Sequence, residues 1–317
     1  MPLPLLTNEP PTPLTPPYRN HFKDWVGVLR LWSLTAATVP VCVGSALAAY
    51  DDMFSWRIFI LTLFCGWLLQ LATNLLNTYG DYSSGVDQVA NPPTAPQLVF
   101  QKIAPEPVFR AGVATLLAGA LLGGAIVALT DWRLLFFAVP GVAGAAFYTT
   151  GLRYKYAGLG LPIVALLMGV LMVMASYFAQ TATLNLPAFL ISLPIACLVG
   201  AILHGNDLRD IVSDQHARIK TAASRLGLAR AQVVFVALHL APYFLLTGSV
   251  ILAQLPRATL FAFLVLPLSL QAVRTCVNGF RTQGIQQIAR LESISAGTHF
   301  IFGSVVTLTL IISKVLS

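Results

Sequence analysis

Charge is what this chain has least of. Only 10% of its 317 residues are Asp, Glu, Lys or Arg, against about 25% in an ordinary soluble domain. So little charge cannot cover a surface facing water on all sides, so lipid must be most of the solvent. Cysteine is scarce too. Cys42, Cys65, Cys197 and Cys276 stand singly in apolar stretches with no CxxC spacing. That argues against structural zinc and a disulfide framework, and reads as small buried hydrophobes. The start of the chain lacks a basic run followed by an apolar core, so no cleavable signal is visible. Residues 1–20 are rich in proline instead, which removes backbone donors, and they read as a disordered leader. The remainder, 21–317, reads as a single transmembrane domain.

Hydrophobic residues make up 56% of the chain and the mean hydropathy is +0.76. A span needs about 20 mostly apolar residues. Nine segments qualify: 28–49, 58–78, 108–129, 134–150, 159–179, 187–204, 232–252, 260–276 and 293–312. The fourth and eighth are short and contain proline. The expected fold is therefore all-α, a polytopic membrane protein of about nine transmembrane helices. The net charge of +7 does not point to nucleic acid, because the basic residues are scattered among loops. Fifteen of the nineteen Lys and Arg fall on one side of this topology. By the positive-inside rule that side, with the N-terminus, is cytoplasmic, and in a bacterial cell the membrane is the inner one. The long loops 79–107 and 205–231 both lie there, and loops on a rigid scaffold commonly carry function.

Five of the twelve acidic residues sit in two short segments at the inner ends of the second and sixth spans. The first runs from Gln70 through Asn74, Asn77, Tyr79, Gly80, Asp81 and Gly85 to Asp87. The second holds His204, Asn206, Asp207, Arg209, Asp210 and Asp214. Asn74, Asn77 and Asp81 stand at i, i+3, i+7, which places them on one face of a continuous helix, and Asp207, Asp210 and Asp214 repeat the spacing. Gly80 and Gly85 predict a helix end near Asp81 and a turn that brings Asp87 back. Carboxylates at membrane depth are costly and face a cavity or partner. With oxygen donors only, and no His or Cys in ligand spacing, the inventory suits Mg2+ shared with a substrate's phosphates. The bland alternative is that these aspartates cap helices and pair with Arg209, Arg218 or Lys220. His204 and His299 read as core histidines with satisfied rings, although His204 could serve as a base.

At these two segments the sequence resembles the UbiA superfamily of intramembrane prenyltransferases. The branch it resembles most attaches a polyprenyl chain to dihydroxynaphthoate in menaquinone synthesis. Asn74, Asn77, Tyr79, Asp81, Gly85 and Asp87 match the family's first motif, with Thr78 where an aspartate is usual. Asn206, Arg209, Asp210, Asp214, Thr221 and Arg225-Leu226-Gly227 match the second. Tyr148-Thr149, Gly151 and Gly158-Leu159-Gly160 are weaker echoes. The family's basic stretch after the first motif is absent between Gln88 and Gln97, and Arg218-Ile219 replaces a Gly-Lys pair.

The resemblance implies Mg2+-dependent transfer of a prenyl group from a prenyl diphosphate to an aromatic acceptor. It implies Asp81, Asp87, Asp207, Asp210 and Asp214 around the metal, with Asn74, Asn77 and Asn206 completing or orienting the shell. Arg209, Lys220 and Lys102 are the expected diphosphate contacts. Tyr79 and Tyr148, with Tyr154 and Tyr156, offer ring faces to an allylic cation. Two other readings stay open: a non-catalytic relative that binds isoprenoids or quinones, and an ion-coupled transporter.

Overall fold

The computed structural model describes residues 18, 21–87, 95–216, 219–282 and 284–316. Apart from Tyr18, the expected leader lies outside them, as do Arg218 and most of the altered stretch after the first motif.

Among the described residues there is no strand. Eight helices are long and apolar enough to cross a membrane, and one shorter apolar helix joins them. In order they are α1 (Phe22–Tyr50), α2 (Trp56–Ser83), α3 (Pro105–Leu129), the shorter α4 (Trp132–Phe147), α5 (Lys155–Thr181), α6 (Leu186–Arg209), α7 (Leu228–Leu252), α8 (Arg257–Arg281) and α9 (Leu291–Leu316). Eight of the nine expected segments fall wholly inside these helices. The fourth stops early, at Phe147, because the chain turns there to build part of the site.

Other departures have local causes. α1 is broken at Arg30, which adopts a left-handed backbone with φ 51°. A 3-10 turn, Leu31–Leu34, follows before the helix resumes at Thr35. α2 runs past residue 78 to Ser83. Gly80 does not stop it, and there is no room for a side chain: an added Cβ would lie 2.7 Å from Thr149 Oγ1. α8 opens with nine residues of tighter 3-10 winding, Arg257–Val265. At the other end of the bundle Asn185 caps α6 by accepting from Ala188 N–H at 2.9 Å, the side-chain cap a helix start requires. Tyr177 donates to Asp51 at 2.6 Å beside it.

Successive helices pack on one another around a ring, and α9 closes it by packing on α1. α6 also reaches across to α9 and α1. The main apolar core lies there, among Val43 and Leu47 of α1, Ile191 and Ile195 of α6, Leu246 of α7 and Phe302 of α9. The outward surface is apolar as well: Leu121, Phe244 and Leu264 are each at least three-quarters exposed. In water such a surface would drive aggregation, whereas against hydrocarbon it costs nothing.

One contact sets how closely α5 meets α6. Ala165–Leu171 of α5 is wound as a π-helix, and Gly169 within it faces Ala196. A Cβ on Gly169 would stand 2.2 Å from Ala196 Cα, so backbone would have to move. Gly169→Ala is therefore expected to destabilise the fold by about 1–3 kcal/mol, the usual cost of overpacking. Gly124, with nothing within 4 Å of an added Cβ, is the control, and thermal unfolding in detergent should separate Gly169→Ala from a near-neutral Gly124→Ala.

Candidate active site

The first motif occupies one face of α2, and Asn74, Asn77 and Asp81 are all buried on it. Asn74 is a structural clamp. Its amide donates to Leu29 O at 2.9 Å and to Ser33 Oγ at 2.8 Å, holding the break in α1 against α2. That break swings Arg30 over the same face, where its guanidinium reaches Asn77 Oδ1 at 3.5 Å and Thr78 Oγ1 at 3.4 Å. Asn77 in turn donates to Asp81 Oδ2 at 2.8 Å. Beyond Ser83 the chain doubles back through Gly85, whose φ is +71°. The N–H groups of Val86 and Asp87 then point to Asp81 O at 3.0 and 3.4 Å, so Asp87 does return to Asp81.

Asp81 receives two further donors from the first turn of α5, which the glycine-rich turn after α4 leads into. Lys155 Nζ lies 2.7 Å from Oδ2 and Tyr156 OH lies 2.6 Å from Oδ1. The lysine and the carboxylate are both nearly buried, at 11% and 8% side-chain exposure. Glycines with positive φ make the turn possible, Gly151 at 56° and Gly158 at 73°. Thr149 fastens it to α2 by donating to Leu76 O at 3.2 Å. The same turn packs Gly158 closely against Arg225 and the Lys220 backbone, so it touches both motifs.

The second motif departs from the expected single face. α6 ends at Arg209, and Asp210 leaves helical geometry with φ −95° and ψ 5° before a short helix, Ile211–His216. Asp207 and Asp214 are buried, and Asp210 is half-buried. Arg209 grips Asp210 with two hydrogen bonds of 2.8 and 2.7 Å, reaches Glu292 at 2.8 Å and donates to Asn206. Asp214 accepts from Thr221 Oγ1 at 2.9 Å, and Thr221 also caps the helix Ala222–Leu226.

The two motifs act on one another electrostatically. Burial pushes Asp87 up to about 7, Asp81 and Asp210 add to the rise, and Lys155 and Arg30 oppose it. Burial likewise pushes Asp214 up to about 6. Thr221's hydrogen bond opposes that shift, Asp210 and Asp81 reinforce it, and Lys155 opposes it. Like charges raise one another's proton affinity only when they share a poorly solvated space. Asp87 senses Asp210 and Asp214 senses Asp81, so the two ends face each other across Lys155.

Beside them lies a cavity of about 180 Å³, walled by asparagines of both motifs, while the five aspartates and Arg209 stand behind that wall and do not line it. Its polar end is walled by Arg30, Asn77, Tyr148, Lys155, Asn206 and Glu292, and the rest is largely aliphatic. A second cavity of about 100 Å³ continues from it among apolar side chains. Leu69, Gly141, Leu167 and Met172 line both. The cavity thus has a charged mouth and an apolar depth.

Several expected residues stand elsewhere. Tyr79 packs its ring on Phe109 at 4.8 Å, beside the apolar cluster of Val28, Leu75 and Val108, and does not line the cavity. Lys102 and Lys220 are exposed and do not line it either. Tyr148 does line it, with the Lys155 ammonium 5.7 Å from its ring centre. Tyr154 also lines it and donates to Gly144 O at 2.9 Å. His204 Nε2 meets Ala231 O at 2.8 Å, but its Nδ1 and both ring nitrogens of His299 find no hydrogen-bond partner among the described residues, so these rings are not fully satisfied as expected. Sequence reasoning overlooked Arg30, Lys155 and Glu292. Arg30 carried a usable signal, since it lies inside the expected first span, where a charge is by default functional.

Among the described residues, no three His, Cys, Asp or Glu side chains are gathered closely enough to hold a metal by themselves. Asp81 is drawn to Lys155 and Asp210 to Arg209. An all-protein cage is not what Mg2+ requires, because it takes one or two carboxylates and completes its shell with phosphate oxygens and water. The donors are oxygen alone, with Asp81, Asp207 and Asp214 buried and Asp87 and Asp210 half-buried, and that chemistry fits Mg2+.

The sequence profile of the UbiA prenyltransferase family matches residues 37–290. A 1,4-dihydroxy-2-naphthoate octaprenyltransferase of Bacillus subtilis is 32% identical to the chain, covering 90% of it and 91% of the relative. The Homo sapiens UbiA prenyltransferase domain-containing protein 1 is 29% identical, with 90% and 84% covered. A UbiA homolog from Archaeoglobus fulgidus bound to GPP and Mg2+ superposes with a TM-score of 0.59 at 15% identity, covering 90% of this chain and 99% of that one. The apo UbiA homolog from Aeropyrum pernix K1 gives 0.60 at 17% identity, covering 88% and 97%. At such identities these two likenesses speak for the fold alone. The sequence matches reach further: this chain belongs to the UbiA prenyltransferase family.

Proposed function

We propose that this prenyltransferase moves a polyprenyl group from a prenyl diphosphate to an aromatic quinone precursor, with Mg2+, through an allylic cation. One observation carries the reading. Asparagines of both motifs wall the same cavity as Arg30 and Lys155, and that cavity runs on into an apolar one. Such a space matches a donor with a charged head and a greasy tail. The naphthoate-prenylating relative in Bacillus subtilis supports the acceptor class, and the Archaeoglobus fulgidus homolog bound to GPP and Mg2+ supports the metal.

Asp81, Asp87, Asp207, Asp210 and Asp214 are the carboxylates to hold Mg2+, with Asn77 and Asn206 beside them. Bound there, Mg2+ would neutralise charge developing on the diphosphate as the C–O bond breaks. Arg30 and Lys155 point into the cavity and bind the diphosphate oxygens; they take the part expected of Lys102 and Lys220. Arg209 keeps Asp210 oriented through its paired hydrogen bonds and is itself steadied by Glu292. Tyr148 offers its ring face to the allylic cation; that face already stands within reach of the Lys155 ammonium. The apolar depth orders the tail and excludes water that would otherwise capture the cation. The Lys and Arg asymmetry supports a cytoplasmic position for this end of the bundle.

Membranes containing the protein, given a prenyl diphosphate, Mg2+ and a panel of aromatic acceptors, should release pyrophosphate and form a prenylated product. Asp81→Asn, Asp210→Asn and Lys155→Gln should each lower kcat/KM by at least about 10²-fold, the usual cost of removing a transition-state charge contact. Lys102→Gln and Lys220→Gln should leave it unchanged. Product formed in EDTA, or by both aspartate variants, would falsify the metal reading.

Gly141 gives a second test, because it lines both cavities and has nothing within 4 Å of an added Cβ. Gly141→Leu should fill the junction, so turnover with long donors falls while the shortest donor is still used. A uniform loss across donor lengths would show that the second cavity does not hold the tail.

A further inference from the structure

The last turns of α8 carry a polar face that the active site does not use. Gln271, Arg274 and Asn278 lie along it at helical spacing and are exposed, while Ala272, Cys276 and Gly279 turn inward and are buried. The inward residues pack with Leu208, Phe235 and Leu291. That contact fixes the height of the face. Leu208 adjoins Arg209 and Leu291 adjoins Glu292, so Arg274 stands level with the polar rim of the site rather than deep in hydrocarbon.

Opposite this face, Gln287 and Arg290 complete a groove of about 250 Å³. Among the described residues, no acidic side chain lines it. Glu292 on α9 is turned the other way, into the substrate cavity, where Arg209 holds it. Neither the Arg274 nor the Arg290 guanidinium has an ion-pair or side-chain hydrogen-bond partner among the described residues. From the groove toward the start of α8 the helix is apolar and outward: Leu270 is 37% exposed and Leu264 75%.

We propose that this groove binds the headgroup of an anionic phospholipid. Two uncompensated guanidiniums at the rim of a membrane-spanning helix demand an anion, and a forked guanidinium matches phosphate oxygens. Gln271, Asn278 and Gln287 supply neutral donors for a headgroup hydroxyl. A lipid also places acyl chains along Leu270 and Leu264, which a soluble anion cannot do. A zwitterionic headgroup brings its own cation and gains less. Basic pockets between helices at this level suit such headgroups.

The test uses the full chain in detergent micelles, titrated with phosphatidylglycerol or phosphatidylcholine of equal chain length and read by native mass spectrometry. Phosphatidylglycerol should bind in preference. Arg274→Gln and Arg290→Gln should each weaken it by about fivefold, the scale expected for one cation at a membrane surface. Arg257→Gln, at the start of α8 and so at its other end, should change nothing. A paired Arg274→Lys, Arg290→Lys variant keeps the charges and should keep the preference, so a folding defect in the glutamine pair would not obscure the answer. Equal binding of the two lipids, or a preference retained by the glutamine pair, overturns the proposal. Displacement of the lipid by millimolar inorganic phosphate also overturns it, since it would mark a site for soluble anions.

Discussion

Asp81 is the point on which the site hangs. Its carboxylate takes Asn77 from its own helix and Lys155 and Tyr156 from the first turn of α5. These contacts pull a glycine-rich turn onto α2, and the turn brings Tyr148 and Tyr154 to the cavity and rests on the tail of the second motif. Removing one member of a buried ion pair costs about 3–5 kcal/mol, because the survivor is left without compensation. The geometry of the whole polar end therefore depends on one charge balance. That balance also holds the Lys155 ammonium at the cavity wall.

The same constraint explains how so many carboxylates can be buried together. Asp81, Asp207 and Asp214 are all nearly inaccessible, and like charges in such a space repel. Lys155 pairs with Asp81 directly and is the cation that opposes the rise at Asp87 and Asp214 alike, while Arg209 pairs with Asp210 and Glu292 and Arg30 meets Asn77 and Thr78. None of these three cations belongs to the loop after the first motif, where the family's basic stretch would be. The loss of that stretch suggested a relative without catalysis, but Arg30 and Lys155 already supply cations to the cavity wall. The transport reading has no support in the family to which the chain belongs.

Much of this was legible in the sequence, and the reasons are specific. Long apolar runs announced the helices because a span must be apolar for its full length, and nine runs gave eight long helices and a shorter one. The i, i+3, i+7 spacing placed Asn74, Asn77 and Asp81 on one face because α2 continues unbroken through them. The same spacing misled at Asp207, Asp210 and Asp214, where α6 ends at Arg209 and Asp210 steps out of the helix. Tyr79 shared a motif with Asp81, yet residues two apart on a helix point about 200° apart, and its ring went to Phe109 instead.

Composition and spacing by themselves determined the membrane setting, the helix count and the two acidic ends, because each depends only on residues near one another in the chain. Tertiary structure alone decided which cations serve those carboxylates. Lys155 is 74 residues from Asp81 and Arg30 is 47 residues from Asn77, and nothing local marks such partners. They meet because a left-handed turn at Arg30 and a glycine-hinged turn before α5 fold two charges inward. In a space with so little water, each buried carboxylate holds whichever cation the packing brings to it.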